Sequence, residues 1–379
     1  MTLRVAMVGL RAPWGADGGV EQSIAQLAPR LVQRGCAVTV YCRRRYNALG
    51  PGMHHGVRLV DTDTHYGKHT EAFVHSALAT PRAALTHDLV HIHAMGPALF
   101  SWLPRMAGRA TVVTVHGMDF ERDKWGRVAR GALRAGAWCA ATFPHRTIVV
   151  GAHLADAFHQ RWGRDTTLVP NAGAELSHAP LSAADVPGLE AGRYLLYLGR
   201  IVPEKGLGRL LDAYGRSAVE LPLVITGSAV HASGTLARLQ AAAPPGVRFT
   251  GPRRGVARDA LVRHARAFVN PSRLEGLPLA PLEAMGAGVP VLLSDIPPHR
   301  EILPDELDGV GGWRVADPDW ADALRRVAAA PDDLLQMMGS MAQEHVAARF
   351  SWDAAADRTL AVYEQAVAAA RGAQSTGRA

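Results

Sequence analysis

AFVNPSRLEGLPLAPLEAMGAGVPVLLSD, residues 267–295, holds two short apolar runs separated by a segment long enough for one small helix. The first, AFVNPS, reads as a strand ending at Pro271, and the second, VPVLLSD, as the next strand. Between them Pro281 suits the first turn of a helix that Gly286 and Gly288 end. Strand, helix and strand in succession build a parallel sheet covered by helices. Two glutamates, Glu275 and Glu283, bracket the apolar segment GLPLAPL. The question this stretch raises is why so apolar a loop carries a carboxylate at each end.

The same alternation runs outward in both directions. RVAMVGL, AVTVYC, LVHIHA, TVVTVHG and TIVVG read as strands of a first series, with VEQSIAQLAPRLVQRG as its first helix. The pattern restarts with YLLYLGR, LPLVITGS and VRFTG, separated by helices such as GLGRLLDAYGRS, before it reaches residues 267–295. Two such series predict two doubly wound α/β domains in tandem, over residues 1–180 and 190–355. The intervening NAGAELSHAPLSAADVPGLEAGR, residues 171–193, has no clear periodicity and is expected to be the linker. Ligands of open parallel sheets sit beyond the carboxyl ends of the strands, so two domains predict a cleft between those edges.

Composition narrows the class. With 379 residues, 48% hydrophobic and 20% charged, the chain is expected to be a soluble globular protein. No apolar run reaches the roughly eighteen residues that span a bilayer. The opening MTLRVAMVGLRAP suits a buried strand better than a signal peptide. Three cysteines without a CxxC pair suit a reducing cytoplasm. Residues 1–185 hold 20 Lys+Arg against 13 Asp+Glu and residues 186–379 hold 21 against 21, so the formal net charge of +7 lies wholly in the first half. That half is expected to meet an anionic partner, such as a membrane surface or a charged substrate. Zinc-finger, RNP and basic-zipper patterns are absent, which disfavours nucleic acid.

Several candidate residues follow predicted strands. In GLRAPWGADGGVEQS (9–23), Gly18 and Gly19 free the backbone to approach a ligand, and the helix N-terminus behind them favours an anion. The stretch lacks GxGxxG, which disfavours a dinucleotide. GRIVPEKG (199–206) offers Arg200 and Lys205, a guanidinium fork and an ammonium suited to a diphosphate, in a chain where 38 of 41 basic residues are arginine. His91 and His93 share one face of a strand and, with His116 and Asp119, leave a metal site open as an alternative to hydrogen-bonded core histidines. His116 closes a strand and is the better candidate for touching substrate. Gly227 also closes a strand. In the opening stretch, Gly276 lets the backbone of Leu277, Pro278 and Leu279 face a ligand, while Glu275 and Glu283 can accept hydrogen bonds from the hydroxyls of a polyol. Residues 122–146 place Arg127, Arg130 and Arg134 on one helical face with Trp125 and Trp138 nearby, which reads either as a contact for an anionic membrane or as a solvated basic face. No P-loop and no GxSxG elbow occurs.

Taken together, these stretches resemble the retaining glycosyltransferases of family 4, of GT-B fold. The resemblance covers nearly the whole chain, and its strongest marker is E-x7-E, here Glu275-GLPLAPL-Glu283 after NPS. GADGGVE, TVHG, GRIVPEKG, VITGS and RFSWDAAADRTLAVYEQA support it in order. VTVHGMDFERDKWGR and RDTTLVPN look closer to bacterial rhamnosyltransferase-like enzymes of polysaccharide assembly. The resemblance implies two Rossmann-like domains facing across a deep cleft, with residues 356–379 returning to the first. It implies transfer of a hexosyl unit from a nucleoside-diphosphate sugar, with UDP, GDP and dTDP all open, to a glycan, lipid-linked or small-molecule acceptor, without a metal or other cofactor. On this chain it implies that Arg200 and Lys205 bind the diphosphate, that Glu275 and the backbone after Gly276 hold the sugar, and that Glu283 holds the ribose. Gly18 and Gly19 approach the β-phosphate, His116 stands near the sugar, and residues 250–252, with Gly251, stand beside the base. A sugar-nucleotide 2-epimerase of the same fold, a metal hydrolase built on the histidines and a non-catalytic binding protein remain the alternatives.

Overall fold

The first sheet is built from β1 (Arg4–Val8), β2 (Ala37–Arg43), β3 (Gly52–His54), β4 (Val57–Thr62), β5 (Leu89–His93), β6 (Ala110–Val115), β7 (Arg146–Val149) and β8 (Thr167–Leu168), in the order β3-β4-β2-β1-β5-β6-β7-β8. This computed structural model describes residues 2–15, 18–67, 70–122, 125–182, 186–229 and 233–376. Every pairing in the sheet is parallel except β3 with β4, a hairpin that turns at His55 and Gly56, both at positive φ. The central strands are buried along their length, as expected of a sheet covered on both faces.

The helices of this unit are α1 (Gly19–Gln33), α2 (Glu71–Thr86), α3 (Met95–Ala98), α4 (Trp102–Met106), α5 (Arg127–Thr142) and α6 (Ala152–Trp162). The crossover from β1 to β2 runs one way along the sheet, while those from β4 to β5, β5 to β6 and β6 to β7 run the other way. With right-handed crossovers, α1 therefore covers one face and α2 to α5 the opposite face.

The second sheet contains β9 (Leu195–Leu198), β10 (Leu223–Thr226), β11 (Val247–Gly251), β12 (Ala267–Asn270), β13 (Val291–Ser294) and β14 (Gly312–Val315), in the order β11-β10-β9-β12-β13-β14 and parallel throughout. Its helices are α7 (Leu207–Ser217), α8 (Ser233–Ala241), α9 (Gly255–Arg263), α10 (Leu279–Gly286), α11 (Pro297–Ile302), α12 (Trp320–Ala329) and α13 (Asp332–Arg349). In α7 the residues Leu207, Leu210, Leu211 and Tyr214 recur at helical spacing and are buried, with Trp320 of α12 in the same core. Burying each such side chain stabilises the unit by about 1.5–3 kcal/mol.

The last helix, α14 (Trp352–Thr376), packs on α1 and β6 of the first unit. Tyr363 of α14 bonds His91 at 2.8 Å, and Arg34 donates to Asp357 at 2.6 Å and to Asp353 at 3.1 Å. The chain thus divides into Met1–Asn171 with Trp352–Ala379, and Ala172–Ser351. The second unit begins earlier than the boundary at residue 190 read from composition. The reason is that α9 and His264 hold the preceding segment: Asp259 accepts from Ser177 N at 3.1 Å, Arg263 donates to the Ser177 and Leu176 carbonyls at 3.1 and 2.8 Å, and His264 bonds the Ala179 carbonyl at 3.1 Å.

Candidate functional site

In the second unit β9 and β12 lie side by side, but the chain leaves β9 toward β10 on the other side. That reversal is the switch point at which doubly wound sheets open a crevice beyond the strand ends. The loop after β9 carries Arg200 and Lys205, and the loop after β12 carries Glu275.

Asn270 ends β12 and caps the turn that follows, its Oδ1 accepting from Ser272 N at 3.1 Å. Ser272 Oγ donates to Glu275 Oε1 at 2.7 Å, and Lys205 Nζ donates to the same oxygen. The two side chains of the ion pair keep 14% and 11% of their surface, so the charges meet largely out of water. Gly206 makes the approach possible: it stands at φ +69, and a Cβ there would lie 2.1 Å from the Pro271 carbonyl oxygen. Burial by itself would raise the Glu275 carboxyl, but the Lys205 charge and hydrogen bond, helped by His299 and Ser272, outweigh it and hold the group at about 2.

Glu283 stands on α10, whose Leu279, Leu282, Ala284 and Met285 are buried all round. This explains the apolar run: GLPLAPL threads a loop and a helix through the interior, and each flanking carboxylate has its own cation. For Glu283 that cation is Arg258 of α9, which also pairs with Asp259 at 2.9 Å. Burial raises the Glu283 carboxyl above its ordinary value despite the guanidinium, with Asp259 adding to the rise. The backbone of Ala174 also donates to it.

The remaining candidates of this unit fall around the same strand ends. Arg200 is half-buried, and its carbonyl accepts from the Tyr197 hydroxyl at 2.8 Å. Gly227, at φ +154, packs against the loop after β9, where a Cβ would stand 1.7 Å from the Gly199 carbonyl oxygen. Gly251 ends β11 at φ +70 with open space around it. Gly276, Leu277, Pro278 and Leu279 are buried, and Pro278 is the N-cap of α10.

In the first unit Gly18 is the N-cap of α1, and Gly19 opens the helix with nothing near where a Cβ would stand. Glu21 folds back over this turn and accepts from Arg11 N at 3.2 Å. His116 follows β6, with its Nε2 3.3 Å from His93 Nδ1. Burial lowers His116 to about 4, partly countered by Asp119, so the ring is neutral near pH 7. The alternative of a metal centre does not fit these histidines. His91 spends one ring nitrogen on Tyr363 and the other on Thr114 at 2.7 Å. Among the described residues no group of three or more His, Cys, Asp or Glu is placed to hold a metal ion.

The sequence reading missed two residues here. Arg258 shares a buried stripe with Leu261 and Val262, and His299 shares one with Ile302 and Leu303. A polar residue at an apolar helical position is the signal that could have found both. His299 is fully buried, bonds the Ser294 carbonyl at 2.7 Å, and is held at about 4 chiefly by burial.

The depressed Glu275 predicts an acid-sensitive unit. A carboxyl at about 2 when folded contributes stability that is complete above its unfolded value near 4.5 and is lost as pH falls toward 2. The shift corresponds to roughly 3 kcal/mol. Glu275→Gln should therefore flatten the fall of the thermal midpoint between pH 5 and 3; parallel curves for variant and wild type would mean that the ion pair contributes nothing to the acid sensitivity.

Comparison with known proteins places the chain. The profile described as glycosyl transferases group 1 matches residues 192–330, and that described as glycosyltransferase family 4 matches residues 17–172. A D-inositol 3-phosphate glycosyltransferase of Streptomyces griseus is 30% identical, over 96% of this chain and 89% of its own. A phosphatidyl-myo-inositol mannosyltransferase of Mycobacterium tuberculosis is 27% identical, over 94% of this chain and 96% of its own. Anabaena HepE, solved with UDP and glucose, has the same fold at 17% identity, with a TM-score of 0.77 over 96% of this chain and 99% of its own. With both halves matched in order and the two parallel-sheet units in place, the chain belongs to the group 1, family 4 glycosyltransferases of GT-B fold.

Proposed function

We propose that this glycosyltransferase moves a hexosyl unit from a nucleoside-diphosphate sugar to a polyol or lipid-linked acceptor bearing negative charge, with retention of anomeric configuration. The observation that carries the donor reading is the buried Lys205–Glu275 pair at the switch point of the second sheet. It stores an ammonium and a carboxylate side by side without burying either charge alone. A sugar diphosphate uses both, since phosphate oxygens accept from Lys205 and Arg200 while sugar hydroxyls donate to Glu275. Glu283 takes the ribose hydroxyls, and the backbone from Gly276 to Leu279 borders the sugar. Gly227 and Gly251 border the nucleotide. In the first unit, Gly18 and Gly19 are assigned to the β-phosphate and His116 to the sugar.

In the reaction the bond between the anomeric carbon and the diphosphate oxygen breaks. The acceptor oxygen bonds to that carbon from the same face, and its proton passes to the departing phosphate. The preplaced cations lower the barrier by stabilising charge on the leaving group, which is electrostatic catalysis and calls for no metal. An anionic acceptor is supported by the basic excess of residues 1–185 and by the inositol phosphate and phosphatidylinositol in the relatives' names.

The test is a thermal-shift panel of UDP, GDP, ADP and dTDP, each with and without chelator. A nucleotide at about a hundred times its dissociation constant adds roughly 2.7 kcal/mol, enough to raise the midpoint by several degrees. One nucleotide is expected to stand out, equally in both conditions, and its sugar conjugates are then assayed for transfer to myo-inositol phosphate and to phosphatidylinositol. No shift with any of the four would overturn the donor site.

A further inference from the structure

The helices α2, α4 and α5, on one face of the first sheet, leave large apolar side chains in solvent. Leu85 of α2 is 77% exposed, Met106 of α4 78%, Val128 of α5 89% and Trp138 of α5 51%. The three helices form one continuous surface. Phe73 of α2 meets Phe100 at 5.0 Å just before α4, and Gly136 of α5 lies so close to α3 that a Cβ there would stand 2.0 Å from the Met95 carbonyl oxygen. The surface carries exposed Arg82, Arg105, Arg127 and Arg134, none of them in an ion pair among the described residues. Arg127, Arg134 and Trp138 stand at i, i+7 and i+11 on α5 and so share a stripe. The helices hold a single acidic residue, Glu71, and it is buried against Arg43 at 2.9 Å.

We propose that this face lies on an anionic phospholipid membrane, with Trp138, Met106 and Leu85 entering the headgroup boundary and the four arginines meeting lipid phosphates. Arg134 also packs over the Phe120 ring at 5.9 Å, but among the described residues none of the four cations has a carboxylate partner, and apolar side chains ringed by such cations are the pattern of helices that lie in a membrane interface. Among the described residues no helix is long and apolar enough to cross a membrane, so the contact is one of surface docking. Charge decides against a second copy of the chain as the occupant. A two-fold contact sets a patch against itself, which would oppose arginine to arginine with no exposed carboxylate on these helices to relieve it. The second unit supplies a contrast: α13 exposes Leu334, Met337 and Met341, but the same helix carries Asp332, Asp333 and Glu344, and this charge repels anionic lipid.

The proposal goes beyond the transfer reaction, and its test needs no sugar nucleotide. Purified protein is floated with vesicles of phosphatidylglycerol and phosphatidylcholine, and with phosphatidylcholine alone. Binding is expected only to the anionic vesicles and should weaken in high salt. Arg127→Glu with Arg134→Glu should reduce it by at least about thirtyfold, and Trp138→Ser with Met106→Ser should reduce it while leaving the thermal midpoint unchanged. Met337→Ser, on α13, should bind as wild type does. Equal binding to both vesicle types, no binding to either, or a dimer in sedimentation that the same substitutions dissolve would each overturn it.

Discussion

Lys205→Met is expected to lower kcat by about a thousandfold while the far-UV circular dichroism spectrum stays that of the wild type. Methionine keeps most of the side-chain volume and removes the ammonium. Loss of one preplaced donor to developing charge in a dry site costs about 10²–10³ in rate. Lys205 also holds Glu275 far below its ordinary value, so the substitution adds a second effect. The carboxylate left behind is largely buried and has lost its cation, and breaking such a pair costs about 3–5 kcal/mol unless the group takes up a proton. Glu275 can do so, because burial alone pushes it upward. The two effects separate in the double variant Lys205→Met with Glu275→Gln. It should recover most of the thermal midpoint, since no unpaired charge remains, and recover none of the rate. If Lys205→Met kept more than a tenth of the wild-type kcat, the leaving-group role would be lost with it.

Much of this architecture is legible in the sequence because a parallel sheet writes itself as short, wholly apolar runs. LVHIH and TVVTV became β5 and β6 with all their residues buried. The strands that escaped reading are those that break this rule. β3 is exposed and antiparallel, β4 interrupts its apolar residues with Arg58 and Asp61, β8 has two residues, and β14 carries an arginine inside GWRV. The glutamates of the E-x7-E stretch were visible as a pair, but their cations were not equally so. Lys205 stands out in a chain with three lysines, whereas Arg258 is one of 38 arginines and looks from its neighbours Arg254 and Arg263 like part of a solvated face. Only its spacing from Leu261 and Val262 betrays it. Local pattern likewise offered no view of how α14 closes the first unit, a return that only the resemblance implied, since it requires residues on either side of the whole second unit to meet.

Arg258→Ala is expected to raise the donor KM by about ten- to a hundredfold with kcat little changed, because it acts through Glu283 and the ribose rather than at the reacting carbon. Glu283 already sits above its ordinary value through burial, and Arg258 is the charge that works against that rise. Without the guanidinium the carboxyl moves further up, so at a given pH more of it is protonated and it accepts less freely from two hydroxyls. Raising the pH should then restore the carboxylate and bring the variant's KM back toward wild type, whose own KM loses its pH dependence at a lower pH because Arg258 holds the carboxyl down. Stability should move the opposite way. An acid whose folded value lies above its unfolded one binds more protons when folded, so stability falls as pH rises through that window. The variant's thermal midpoint should therefore drop with rising pH as donor binding improves. A merely structural arginine would lower the midpoint at every pH and leave KM without this slope. Glu283→Gln placed in the same variant removes the titrating group, and both pH dependences should vanish together; a slope that persists in the double variant would mean that Glu283 is not the group Arg258 controls.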